Sequence, residues 1–276
     1  MQGLPGPGNR QTESVRRKFS RFSTAISTNT KEFIFQSITL ETKLFHNLTR
    51  DDLFDPKSAD TSGIPDSQTD IKQYGYQISP TIYLLDYFQV LRLSINGEQE
   101  YFDRLRKRSD HQTESKDPVK RRDYQSFQIQ DEFRFFGNRL FLVPQIRFDR
   151  YTDRFGKDLN SVRNQINDPL SDQFKTRRDF TNPSFGIKWI ILQENKYDFG
   201  VMGNVSKEFR IPSFIELFGE RGSIIGNTSL RPEMSRNSDM GFFFKSKLNA
   251  EWKWDSEIAY FQKKIYDMIL FLPNSQ

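Results

Sequence analysis

The sequence has no cysteine among its 276 residues. That excludes a disulfide scaffold, a zinc–thiolate centre and a cysteine nucleophile. Histidine is nearly absent, with only His46 and His111. Neither has a partner at metal-ligand spacing, so both read as solvated or interfacial side chains. A nucleophile elbow, a phosphate-binding loop and an HExxH pattern are all missing, and Asp51/Asp52 read as loop acids. The sequence therefore predicts no enzyme, no bound metal and no cofactor. No run approaches the roughly 18 apolar residues of a helical membrane span. One-signed charge is lacking too: 41 basic residues face 36 acidic ones, for a net charge of +5. The basic runs Arg104–Arg108 and Lys120–Arg122 flank a stretch that also holds Asp110, Glu114 and Asp117. Such interspersed acids argue against a nucleic-acid partner. The runs fit contact with anionic lipopolysaccharide, attraction of an anionic ferric chelate, or a plain solvated loop.

The opening stretch, MQGLPGPGNR, is rich in glycine and proline and lacks the apolar centre of a secretory signal. The sequence stops at LPNSQ, directly after a strand-like run. Both ends are those expected of a fragment.

Aromatics are plentiful, at 14% with 27 Phe. They argue against disorder despite a mean hydropathy of −0.73. Their spacing has period 2, the signature of strands with two different faces. Phe127, Ile129, Phe133 and Phe135 oppose Gln128, Gln130, Glu132 and Arg134, with Asp131 interrupting the apolar set. Leu140, Leu142, Ile146 and Phe148 oppose Gln145, Arg147 and Asp149. Phe185, Ile187 and Trp189 repeat the pattern, as do Tyr197, Phe199, Val201 and Val205, and then Trp252, Trp254, Ile258 and Tyr260. Ten strands are predicted, near 14–27, 32–48, 71–84, 88–103, 123–136, 139–150, 179–192, 197–206, 236–247 and 251–271. They are long enough to cross a membrane at a tilt, which takes about 9–11 residues.

The predicted connections alternate between short and long. Short ones fall at Thr28–Lys31, Leu85–Tyr87, Gly137–Asn138, Gln193–Lys196 and Leu248–Ala250. Long ones fall at Thr49–Asp70, Arg104–Arg122, Tyr151–Arg178 and Lys207–Ser235. In an antiparallel meander every second connection lies on the same side, so one side carries tight turns and the other carries long loops. That is the layout of an outer-membrane β-barrel. Because lipid cannot satisfy backbone polar groups, such a sheet closes, with apolar residues outward and polar residues toward the lumen. Tyr83, Tyr87, Phe148, Tyr151, Trp189, Tyr197, Trp252 and Trp254 are candidates for the interfacial aromatic girdles.

The sharpest local motif lies in the last long connection. Phe209, Arg210, Pro212 and Ser213 are followed by Glu216, Leu217, Phe218 and Gly219. Then come Gly226, Asn227, Leu230, Pro232, Glu233 and Ser235, with Asp239 and Gly241 beyond. Pro212 removes a ladder donor. Ser213 with Glu216 forms a capping-box pattern for a short helical turn. The glycines permit left-handed backbone. This succession resembles the TonB-dependent outer-membrane receptors, as does the closing run YDMILFLPNSQ; the match is specific over about 40 residues, and over the rest of the chain the resemblance rests on the layout of strands, short turns and long loops.

The resemblance implies an all-β antiparallel transmembrane barrel of 22 strands, of which residues 1–276 supply about ten. The plug, its energy-coupling box and the closing strands lie outside them. It also implies a Gram-negative outer-membrane receptor and active transporter for a scarce ligand, such as a ferric siderophore or cobalamin, energised by the inner-membrane TonB complex. Family haem receptors usually carry a histidine between the two motif halves, and Ser213–Gly226 holds none. Arg210, Glu216, Phe218, Arg221 and Arg231 are the candidate ligand contacts; the competing reading makes the whole motif architectural. A soluble carbohydrate-binding or adhesive module and a passive porin are the alternative functions.

Overall fold

Period-2 alternation in long segments yields long strands. In the computed structural model the described residues are 16–31, 37–54, 67–85, 88–107, 114–116, 120–156, 173–194, 196–219, 226–247 and 253–270. They form β1 (Arg16–Thr30), β2 (Ile38–Phe54), β3 (Ser67–Leu84), β4 (Gln89–Lys107), β5 (Glu114–Lys116), β6 (Lys120–Phe135), β7 (Leu140–Gly156), β8 (Gln173–Gln193) and β9 (Tyr197–Arg210). A short helix α1 (Phe214–Phe218), β10 (Glu233–Lys247) and β11 (Lys253–Tyr266) follow. Every long strand pairs antiparallel with the next, in one meandering sheet, and the three-residue β5 hangs on β4. All ten expected strands are present; β5 and α1 complete the set. The described sheet is a single layer with β1 and β11 at its edges, an unclosed wall of a β-barrel. No described helix is long and apolar enough to cross a membrane.

The strands run further on the long-loop side than the alternation predicted. β2 ends at Phe54 rather than residue 48, β8 begins at Gln173 rather than 179, and β9 reaches Arg210 rather than 206. The apolar alternation ends earlier than the ladder does. Above that point cross-strand ion pairs replace apolar pairs. Arg17 Nε donates to Asp51 at 2.9 Å, Arg50 Nε to Asp70 at 2.8 Å and Arg150 Nε to Asp179 at 2.7 Å.

Directly opposed residues share a face, so the register separates the two surfaces. One face carries Gln77, Ser94, Asn96, Ser126, Gln128, Gln145, Asp149, Asn182 and Asn204, and is polar. The other carries Ile78, Ile95, Phe127, Phe148, Phe185, Trp189, Val205, Met240 and Phe242, all at least a third exposed. This is the outward apolar belt. Phe148, Trp189, Tyr197 and Trp254 lie on it; Tyr83 and Tyr151 lie on the polar face, where residue parity places them, and so leave the expected girdles. Tyr87 and Trp252 lie outside the described residues. Asp131 does point outward, where it accepts a 2.6 Å hydrogen bond from Gln89. Pro80 and Pro144 lack an amide hydrogen, and each coincides with a gap in the pairing on one side of its strand.

The strands are staggered as barrel closure requires. One hydrogen-bonded row runs Ala25–Phe45–Gly75–Glu98–Tyr124–Tyr151–Arg178. It starts near the tight-turn end of β1 and finishes near the loop end of β8.

Candidate functional site

The connection between β9 and β10 folds back onto the polar face, above β4, β6 and β7. Pro212 ends the β9 ladder, and α1 follows at once. Ser213 is extended (φ −69°, ψ 163°) and closes a capping box: its backbone N–H donates to Glu216 Oε2 at 2.7 Å, and Glu216 N–H donates to Ser213 Oγ at 3.3 Å. A helix this short has no stability of its own, so packing must hold it. Phe214 and Leu217 are its buried side chains, against Phe102, Ile71, Phe155 and Leu230. Phe214 lies 5.7 Å from the Phe102 ring and 6.2 Å from Phe155. Ser213→Ala should loosen α1 by about 1 kcal/mol, the usual worth of an N-cap; faster hydrogen exchange at the amides of residues 214–218, with exchange elsewhere unchanged, is the expected signature.

Two glycines make the return possible. Gly219 caps α1 at φ 75°, a left-handed conformation that side chains resist. Gly226 comes back against the same place: a Cβ there would stand 2.3 Å from the Gly219 nitrogen and the Phe218 carbonyl carbon. Only a hydrogen fits that space. Asn227 N–H then donates to the Glu216 carbonyl at 3.0 Å, and its side chain accepts from Ser229 N–H at 2.9 Å.

Cations from the barrel wall grip the module from below. Arg122, deeply buried, donates from Nε to Asp153 Oδ1 at 2.7 Å and from Nη2 to Asp153 Oδ2 at 3.0 Å. The same Nη2 donates to the Pro212 carbonyl at 2.9 Å, and the guanidinium lies 4.7 Å from the Phe214 ring centre. Arg104 donates to the Gly219 carbonyl. Lys120 sits 4.6 Å from the Phe218 ring. A second network, lower on the same face, holds β9 to β8: Asn182 donates to Asp149 at 2.6 Å and accepts from Phe209 N–H at 2.9 Å, beyond the last β8–β9 pair.

At the outer edge Arg210 bridges two acids. Its Nε donates to Glu233 Oε2 at 2.6 Å, and its Nη1 donates to both Glu216 oxygens at 3.0 and 3.1 Å. Glu233 Oε1 accepts from the Ile269 N–H at 2.6 Å, tying in the chain beyond β11. The Arg210 hydrogen bond outweighs burial and holds the Glu233 carboxyl down at about 2. Burial pushes Glu216 up, but bonds from Arg210 and Ser213 overcome it and leave the group below its ordinary value. Both folded values are depressed, so this clamp is complete above the ordinary carboxylate range of about 4.3 and is lost as pH falls toward 2. Protease nicking between residues 211 and 232 should accordingly rise between pH 4 and pH 2 in the wild type, and Glu233→Gln should nick readily already at pH 7.

Among the residues expected to contact ligand, Arg210 and Glu216 bind each other and Phe218 packs on Lys120 and Phe155. Arg231 is exposed. Arg221 lies outside the described residues. Ser235 is buried in β10, and Leu230 packs against the α1 cluster. Sequence reasoning missed Arg104, Lys120 and Arg122 as wall residues because they stand in basic runs that read as loop. The signal was available: Arg104 keeps the parity of Phe102, and Arg122 that of Tyr124. Among the described residues no group of His, Asp and Glu could hold a metal ion.

A family model described as TonB dependent receptor-like, beta-barrel, matches residues 3–276. No curated protein matches the sequence. Solved structures with the same fold include a double mutant of the hemophore receptor HasR of Serratia marcescens, in complex with its hemophore HasA and heme. It aligns with TM-score 0.63 and 18% identity over 91% of this chain and 40% of its own. The copper transporter OprC aligns with TM-score 0.63 and 14% identity over 91% and 48%. The FrpB iron transporter of Neisseria meningitidis aligns with TM-score 0.60 and 15% identity over 90% and 36%. The chain thus spans less than half the length of each of these structures.

Proposed function

We propose that this chain, which belongs to the TonB-dependent receptor β-barrel family, is wall of an outer-membrane transporter that takes up a scarce metal-bearing ligand, a ferric siderophore or cobalamin. The single observation carrying this reading is the division of one sheet into a polar face and an outward apolar belt, with a folded loop braced against the polar side. A polar inner face suits passage of a hydrophilic chelate, and the outward belt suits lipid. Solved structures of the same fold include a hemophore receptor, a copper transporter and an iron transporter, which agrees with metal-bearing cargo. The wall recognises and conducts; energy comes from the TonB complex acting through a plug, and no bond chemistry is needed. The β9–β10 motif serves as a brace, because Arg210, Glu216 and Phe218 already satisfy one another and the wall. Arg221 and Arg231 remain the ligand-contact candidates of that loop.

The test is nutritional and physical together. A strain deleted for the gene should lose growth on one ferric siderophore or on limiting cobalamin and regain it with the intact gene, only while TonB is present. The product should partition with detergent. Recovery in the aqueous phase, or rescue independent of TonB, would overturn the reading.

A further inference from the structure

Near the tight-turn end the polar face carries a band of cations and aromatic rings. One hydrogen-bonded row runs Arg134–Phe141–Lys188–Met202 across β6, β7, β8 and β9. Residue parity puts Arg92 and Glu132 on the same face beside it. Trp189, next to Lys188 in sequence, points outward, at the height expected of an interfacial aromatic. Tight turns mark the periplasmic side of such a wall. On the transporter reading, this band therefore lines the mouth through which cargo leaves.

The cations of the band are held in two different ways. Arg92 Nη1 donates to Glu132 Oε2 at 2.9 Å, and Arg134 Nε donates to Glu132 Oε1 at 2.7 Å, so two arginines share one carboxylate. Lys188 forms no ion pair among the described residues. Its Nζ lies 5.0 Å from the Phe243 ring centre and 5.8 Å from that of Phe141. The Phe141 ring is in turn 6.0 Å from the Arg134 guanidinium. Gly200 makes the arrangement possible: the Phe243 ring lies over it, where a Cβ would stand 2.5 Å from the ring. Ring faces steady an ammonium but bring no negative charge to it. Beyond Lys188, Asp198 opposes Lys245 across β9–β10 and Glu257 opposes Phe243 on β11. Neither acid pairs with Lys188 among the described residues. The positive charge of Lys188 is fixed in place and left uncancelled.

An uncancelled ammonium framed by two apolar rings complements an anion with an apolar rim, such as a carboxylate or phenolate on a metal chelate. Lysine also suits a stopping place better than an endpoint. Its point charge holds one oxygen, whereas an arginine fork grips a carboxylate at two. A transit site must bind well enough to be entered and weakly enough to be left. We propose that Lys188, between Phe141 and Phe243, is a transit site for anionic cargo at the exit of the lumen. The inference rests on the transporter reading and narrows it: the cargo is an anionic chelate rather than cobalamin.

The experiment uses the intact gene product in cells of the deletion strain and four radiolabelled probes: ferric citrate, ferric enterobactin, cationic ferrioxamine B and cobalamin. Surface binding is measured in the cold and uptake at growth temperature. The wild type should carry one of the two anionic chelates. Lys188→Gln should leave surface affinity unchanged and lower maximal uptake about fivefold, the most that one exposed ion pair supplies. Lys188→Arg, which keeps the charge, should recover most of that rate and controls for a folding defect. Uptake equal to wild type in Lys188→Gln, a matching loss of surface affinity, or cargo that proves to be ferrioxamine B or cobalamin would each overturn the site. Raised vancomycin sensitivity of Lys188→Gln would also overturn it, since that would show Lys188 holding the plug rather than cargo. TonB-dependent uptake of none of the probes by the wild type defeats the transporter reading and the site together, whereas wild-type uptake indifferent to Lys188 defeats only the site.

Discussion

Arg122→Ala should destabilise the folded wall by about 3–5 kcal/mol, the cost of stripping one partner from a buried ion pair. The Arg122 and Asp153 side chains are only 7% and 5% exposed. Removing the guanidinium leaves the Asp153 carboxylate with no cation in a place water barely reaches, and deprives the Pro212 carbonyl of its donor. Arg122→Met/Asp153→Leu removes both charges together and should recover most of that loss, because an apolar pair of similar volume is often as stable as the ion pair. Urea unfolding of the intact product, followed by tryptophan fluorescence, would show the single variant's midpoint displaced and the double variant's largely restored. If the single variant unfolds like wild type, the pair is not holding the module. The double variant still lacks the donor to Pro212, so its β9–β10 loop should stay more protease-sensitive than wild type even where global stability returns.

Phe214→Ala should cost a similar amount, about 3–5 kcal/mol, for a buried aromatic cut to a methyl group. Its effect should differ in kind. Phe214 is 2% exposed and joins α1 to Phe102 and Phe155. Nothing else apolar in α1 reaches full burial except Leu217. The loss should therefore release the module rather than unravel the sheet, since local units open independently of the rest. The expected result is rapid proteolysis between residues 211 and 232, with the unfolding midpoint of the barrel nearly unchanged. A large midpoint shift with an intact loop would mean that α1 is part of the global folding unit. On the proposed transporter reading, uptake should fall in step with loop release.

The fold was legible because each long strand carries its own label. Phe127–Ile129–Phe133 and Leu140–Leu142–Ile146 need a surface with two chemistries, and a two-residue period leaves little choice. The turn at Gly137–Asn138 was legible as well: Gly137 and Asn138 both sit at positive φ, as their residue types allow. The strand ends were harder. Once Arg150–Asp179 and Arg50–Asp70 replace apolar pairs, a strand reads as polar loop, yet ion pairs satisfy a ladder as well as phenylalanines do. The local chemistry of the motif was readable, since Ser213 and Glu216 are three apart and short-range. Its anchorage was not. Arg122 lies 90 residues before Pro212, and Arg104 lies 115 before Gly219. Such partnerships exist only after the sheet has brought β4, β6 and β7 beneath α1.

Every long strand of the meander pairs with the next long strand along the polypeptide, and register is set at the tight-turn end of each hairpin. Insertions or deletions at the opposite end therefore change what protrudes without disturbing a single cross-strand pair. On the proposed transporter reading, such a wall exchanges its cargo preference by lengthening or trimming protrusions one at a time, whereas the β9–β10 crossing is tied to the polar face by α1 and Arg122.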